Sequence, residues 1–296
     1  MPHSWTVGGL RVHRVDETVF PPAVGAWILP GAEAASDGGL LMSSHTFAFE
    51  TADGRRVLVD TGVGNGRTRA NAAWHGLDTP YLDRLAEAGF APDSVDLVVL
   101  THLHTDHVGW NTRDDGGTWV PTFPHARYLT SRTEWDHWAS VDMEESRRQM
   151  FRDAVLPVRD AGLLDLVDVG EDGTEIAPGV RLLPTPGHTP GQIAVELTDG
   201  GSGNGGPGDG GATAVITGDC VHHPVQLADP ALTSRVDTDP EGAVRSRRAL
   251  LERAADTGAL LLGSHFPPPT AGRVHREGAG YRLEDVAPDV TASAAG

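Results

Sequence analysis

The sequence predicts a mixed α/β (α+β) fold. Short apolar or alternating runs recur along the chain, each bounded by turn residues, as strands do. Between them lie segments whose apolar residues repeat at helical spacing. The two kinds of segment alternate in two comparable blocks, one in each half of the 296 residues.

In the first block, residues 10–15, 46–50, 57–60, 97–100 and 127–129 read as strands. Residues 81–88 read as a helix, with Tyr81, Leu82, Leu85 and Ala88 on one face and Gly89 placed to stop it. A longer helical segment is expected over 134–156, where Trp135, Trp138, Met143, Met150 and Phe151 are interleaved with charges. In the second block, residues 180–183, 193–197, 214–217 and 260–262 read as strands, and a helix over 240–255 precedes the last of them. The prolines of 16–31 predict an apolar loop without regular structure. Residues 199–211 are too rich in glycine to pack a core, because fixing glycine costs more backbone entropy than fixing other residues. Strand-like runs flank that stretch at once, so it reads as an elongated hairpin loop, and residues 289–296 as a frayed tail. One domain over 1–296 accommodates these elements.

The formal net charge is −18, and all 23 strong bases are arginines, which argues against a broad surface for nucleic acid or other polyanions. Cys220 is the only cysteine, so no internal disulfide is expected. The start Met1-Pro2-His3-Ser4-Trp5 lacks the basic residues and apolar stretch of a secretory signal, and a cytoplasmic location is the expectation. No run approaches the roughly 18 apolar residues of a membrane span.

Chemistry concentrates in Thr101-His102-Leu103-His104-Thr105-Asp106-His107, directly after the apolar run 96–100. Crowding three imidazoles and a carboxylate together is costly unless cations organise them. His102 and His104, two apart, project to one side of an extended backbone. Asp106 and His107, expected to enter a helix, reach a second cation nearby. Further on, His188 stands in the turn Thr185-Pro186-Gly187-His188-Thr189-Pro190-Gly191, placed to complete the His102/His104 site. Asp219 follows the strand 214–217 and is placed to bridge two cations, and His265 lies just past 260–262. Expected ligands are therefore His102, His104, Asp106, His107, His188, Asp219 and His265. Isolated histidines such as His13, His45 and His137 read as surface residues, Asp60 as a carboxylate that supports a turn or a ligand, and Cys220 as a small buried residue.

Two cations about 3.5–4 Å apart hold a hydroxide between them near neutral pH, an expected nucleophile. Asp106, a ligand with a spare oxygen, is the expected proton carrier to the leaving group.

These motifs, in this order, resemble the metallo-β-lactamase fold superfamily, with Val59-Asp60-Thr61-Gly62 similar to its early turn and the likeness extending over about residues 40–270. The resemblance implies an αββα sandwich of two similar halves, with two zinc ions, or other divalent metals, at one edge. The segments 218–230 and 264–267 are similar to the branch of methyl-parathion-hydrolase-like enzymes and lactonases. Acyl-homoserine lactonases commonly carry a tyrosine three positions after the bridging aspartate. Here that position is His222, expected either to orient substrate or donate to its developing oxyanion, or to bond the loop to a ligand carboxylate. Phe20, Trp27 and Trp110 are candidate pocket walls. The segment 19–30 is a candidate lid and a candidate contact in a homodimer.

The implied activity is a dinuclear zinc hydrolase of small apolar esters or lactones, with promiscuous turnover of organophosphate triesters. A glyoxalase II-type thioesterase is the alternative within hydrolases. A mononuclear iron persulfide dioxygenase is the alternative outside them, and metal analysis separates the two classes.

Overall fold

The computed structural model describes residues 3–32, 40–198 and 212–289. Strands β1 (His3–Val7), β2 (Leu10–Val19), β3 (Ser43–Glu50) and β4 (Arg56–Val59) pair antiparallel in succession, and β5 (Leu97–Val99) joins β4 in parallel. A separate hairpin of β6 (Thr112–Asp115) and β7 (Thr118–Pro121) precedes β8 (Arg127–Ser131) and β9 (Leu164–Val167), which extend the first sheet in parallel. The second sheet runs in order β10 (Thr174–Ala177), β11 (Val180–Pro184), β12 (Ile193–Thr198), β13 (Ala212–Ile216), β14 (Leu260–Leu262), β15 (Gly272–Glu277) and β16 (Gly280–Asp285), with β13 and β14 parallel.

Strand periodicity builds the layers, since alternate side chains leave a strand on opposite faces. Phe47, Phe49, Val57, Val59, Leu97 and Val99 point inward and meet Leu182, Ile193, Val195, Ile216, Leu260 and Leu262 in one core shared by both sheets. Their neighbours Ala48, Leu58 and Val98 point outward and pack beneath helix α2 (Tyr81–Glu87) and the helical segments around Trp138 and Met150. On the other side, Leu183, Ala194 and Val215 pack on Leu250, and Leu261 on Leu251 and Ala254. The result is the αββα sandwich. Each buried Leu, Val or Phe contributes about 1.5–3 kcal/mol over an exposed one, enough to hold strands as short as β5 and β14 in place.

Three expectations are corrected. The proline-rich stretch 16–31 is ordered: β2 continues to Val19, and α1 (Pro22–Ile28) follows. Pro22 stands in the first turn, where a missing N–H costs nothing, and Gly25 lets the helix close on the Leu40 carbonyl. The segment 134–156 is not one helix. It divides into α3 (Arg132–Ser140), α4 (Glu145–Met150), a π-helical turn over Phe151–Val155 and α5 (Leu156–Asp160), because Val141 is extended and redirects the chain. Asp106 and His107 do not enter a helix but sit in a turn closed by the His107 N–H on the His104 carbonyl at 3.1 Å. The short α6 (Val225–Ala228) and the long α7 (Pro240–Thr257) complete the helices; Asp239 caps α7 by accepting from the Gly242 N–H, and Gly258 ends it at φ 66°.

The expectations for 199–211 and for the tail beyond residue 289 lie outside the described residues. No described helix is long and apolar enough to cross a membrane.

Candidate metal centre

Five loops meet at one edge of the sandwich, each leaving the end of a strand. Asp60 follows β4, the 102–107 segment follows β5, His188 follows β11, Asp219 follows β13 and His265 follows β14. The two sheets are joined at this edge by the Ile193 N–H donating to the Thr101 carbonyl at 3.0 Å.

All seven expected ligands converge. His102, His104, His188 and Asp219 place one ligand atom each within 4.8 Å of the others, and Asp106, His107 and His265 do the same. Asp219 stands between the sets with its oxygens divided. Its Oδ2 is 3.2 Å from His188 Nε2 and 3.7 Å from His102 Nε2, while its Oδ1 is 3.1 Å from His265 Nε2 and 3.2 Å from His107 Nε2. Asp106 closes the second set, 3.6 Å from His265 Nε2 and 3.8 Å from His107 Nε2.

The chemistry of these atoms fits a pair of cations. His104 Nδ1 faces His188 Nε2 at 2.9 Å, and His107 Nε2 faces His265 Nε2 at 3.2 Å, so ring nitrogens converge on one another. His102 Nε2 and Asp219 Oδ1 are buried without a hydrogen-bond partner. Burial and the neighbouring histidines push His102 and His104 well below the usual imidazole range, which leaves their lone pairs free. Burial disfavours the Asp219 charge, yet His265, His107, His222 and His102 together hold it well below the usual carboxylate range.

The far sides of the rings are fixed by other groups. His107 Nδ1 meets Asp60 Oδ2 at 2.8 Å; His265 Nδ1 meets the Ser43 carbonyl at 2.9 Å; His188 Nδ1 meets Asp237 Oδ1 at 3.0 Å. Such partners set the tautomer that turns a lone pair toward the metal. Asp60 also accepts from the Thr101 N–H and hydroxyl, tying β4 to the ligand loop.

Sequence reasoning missed Asp237, Ser43 and Glu134. Glu134 Oε1 accepts from the Leu103 N–H at 2.9 Å and from Trp138 Nε1 at 2.7 Å, and its Oε2 accepts from the Gly191 N–H at 3.2 Å. One buried carboxylate thereby clamps the loops that carry His104 and His188. Ser131-x-x-Glu134 is legible as a capping box, and Ser131 does accept from the Glu134 N–H, but the glutamate side chain serves the ligand loops instead. His45, expected at the surface, is buried and faces the Gly263 carbonyl at 3.1 Å, beneath the loop of His265.

His222 lies 3.3 Å from Asp219 Oδ2, and neither of its ring nitrogens has a hydrogen-bond partner. Phe20 is buried, with its ring 5.7 Å from that of His265. The other two candidate walls are placed differently. Trp110 stacks on Tyr81 at 5.3 Å and donates to Glu17, which is packing in the outer core, and Trp27 on α1 is 54% exposed beneath the Arg235 guanidinium. Cys220 is buried against Leu183, Ala194 and Leu250. Cavity size does not locate this centre: a groove of about 440 Å³ opens where β2 and β11 begin, at the opposite edge, and among the described residues no cluster of metal-binding side chains lines it.

A family model described as the metallo-beta-lactamase superfamily matches residues 40–265. N-acyl homoserine lactonase AiiA of Bacillus thuringiensis subsp. kurstaki is 27% identical over 170 residues, covering 53% of this chain and 59% of that protein. N-acyl homoserine lactonase AiiB of Agrobacterium fabrum is 28% identical over 200 residues, covering 62% and 68%. The chain thus spans 59% of the length of the Bacillus lactonases it matches with 27% identity over 170 residues. Among solved structures, hydrolase AbOPH of the beta lactamase superfamily superposes with a TM-score of 0.72 at 23% identity, covering 96% of this chain and 97% of that one. AidC, described as a dizinc quorum-quenching lactonase, superposes with a TM-score of 0.73 at 20% identity, covering 97% of each. Because the matching family model runs through strands of both sheets and takes in every residue of the centre from His102 to His265, the chain belongs to the metallo-beta-lactamase superfamily.

Proposed function

We propose that the protein is a metal-dependent hydrolase of small lactones or esters, working with two zinc ions. The observation that carries this reading is the division of the Asp219 carboxylate between two histidine sets, one oxygen to each. The description of AidC as a dizinc lactonase and the activity named for AiiA and AiiB support lactones as substrates.

His102, His104 and His188 would hold one cation and Asp106, His107 and His265 the other, with Asp219 serving both. Bound there, the cations supply Lewis acidity and ionise water near neutral pH. Asp60, Asp237 and the Ser43 carbonyl keep the imidazoles aligned. Asp106 has a second carboxylate oxygen to take a proton and return it to the leaving group. His222, with free ring nitrogens beside Asp219, is placed to donate to the oxygen on which charge develops. Phe20 supplies an apolar wall beside His265.

Elemental analysis and a substrate panel test this reading. The expected result is two zinc per chain and turnover of lactones, N-acyl homoserine lactones among them, or aryl esters, with phosphotriesters slower. One iron per chain with sulfite formed from glutathione persulfide, or cleavage of S-lactoylglutathione ahead of every lactone, would overturn it.

A further inference from the structure

The centre is closed on most sides. His102, Asp106, His107, His188, Asp219 and His265 are buried, whereas His104 is partly open, so the approach to the centre lies past His104. Trp138 stands on that side, its ring 5.8 Å from that of His104 and fixed by its Nε1 bond to Glu134. Over the Trp138 ring, 4.0 Å from its centroid, lies the guanidinium of Arg147 from α4. The Arg147 charge is felt at His104, and the Glu144, Glu134 and Asp106 carboxylates, in that order, act on Arg147 in turn.

Beyond its place on the Trp138 ring, this guanidinium makes no ion pair among the described residues. Its neighbour Arg148 pairs with Asp142 and Glu145, and Arg152 pairs with Glu145. Arg147 has no such partner among the described residues, and its Nη1 is buried with no hydrogen-bond acceptor. The tryptophan beneath fixes the guanidinium plane, and a planar fork of N–H groups matches a carboxylate in two parallel bonds. The net charge of −18 disfavours anions in general, so a guanidinium beside His104 with no ion-pair partner among the described residues selects those it can pair.

We propose that Arg147 is a specificity-determining residue that binds a free carboxylate on the substrate, so that the centre prefers lactones or esters bearing a second, ionised carboxyl group over their neutral analogues. The proposal rests on the hydrolase reading for the bond that is cleaved, but not for the binding.

Full-length, zinc-loaded wild type, Arg147→Gln and Arg147→Lys test it, with zinc content and circular dichroism measured for each. Calorimetry compares glutarate with butyrate, and kinetics compare monomethyl glutarate with methyl butyrate by the ratio of kcat/KM. Wild type is expected to favour the carboxylate-bearing member of each pair by about tenfold, Arg147→Gln to lose that preference, and Arg147→Lys to keep about a third of it or less, because an ammonium lacks the planar fork. No preference in wild type, or an undiminished one in Arg147→Gln, overturns the proposal. Should Arg147→Gln fail to fold, an undiminished preference in Arg147→Lys overturns it. If neither ester is cleaved and the lactones and aryl esters of the panel are inert as well, while the glutarate preference still depends on Arg147, the hydrolase reading fails and the carboxylate site stands.

Discussion

His188 and Asp237 meet at 3.0 Å with neither side chain accessible, forty-nine positions apart in the chain. Asp237 Oδ1 faces His188 Nδ1, and Oδ2 accepts from the Ser234 N–H at 2.8 Å. An asparagine cannot accept at both atoms, because whichever way its amide turns, the NH2 faces one of the donors. Asp237→Asn is expected to weaken zinc binding about 10–100-fold, measured by competition with a chelator of known affinity. An unchanged affinity would show that the His188 ring is held without Asp237.

Glu134 carries a different load, since three buried donors converge on it: the N–H groups of Leu103 and Gly191 and Trp138 Nε1. Truncation leaves all three without an acceptor, at about 1–3 kcal/mol for each that water cannot reach. Glu134→Ala is expected to lower unfolding free energy by about 3 kcal/mol or more in urea titration and to loosen zinc. Gly191→Ala attacks the same junction from the other side, since a Cβ there would lie 2.0 Å from the Glu134 nitrogen. A loss of less than about 1 kcal/mol in both variants would remove the clamp from the account.

His104→Ala and Asp219→Ala are expected to lose zinc and hydrolysis together, because each removes a ligand atom from a convergent set. Cys220→Ala is expected to leave zinc stoichiometry intact, since the thiol packs against Leu183, Ala194 and Leu250. Chelation should lower the melting temperature of the wild type, and added zinc should restore it, by mass action on the folded state. Zinc loss in Cys220→Ala with retention in Asp219→Ala would reverse the assignment.

The candidate ligands were legible because four of them are nearly contiguous and the others each follow an apolar strand. The inner strands were legible because residues such as Phe47, Val57 and Val99 alternate with outward neighbours in a pattern that only a packed sheet needs. β15 and β16 were not, because their exposed positions carry Arg273, His275, Arg282 and Glu284, so the apolar face reduces to Val274, Tyr281 and Leu283. α1 was obscured by treating Pro21 and Pro22 as helix breakers when Pro22 opens the first turn. Asp237 left no trace, since a carboxylate in a turn acquires its role only when a distant ring packs on it. Trp110 illustrates the converse: close to His107 in the sequence, it stacks on Tyr81 in the outer core, a partner that sequence proximity does not show.

His222 offers the sharpest separation of roles. It lies 3.3 Å from Asp219 Oδ2 with its ring 4.9 Å from that of His188, close enough to be a ligand and equally well placed to donate to substrate. If it donates only to charge developing in the reaction, His222→Phe keeps two zinc per chain while kcat falls about 10²-fold and KM changes little. If it holds a cation, the same substitution releases zinc, and activity returns when zinc is raised. Measuring zinc content and kcat on one preparation decides between them: a full complement of zinc with the lowered kcat assigns His222 to the substrate, and a lost zinc assigns it to the metal.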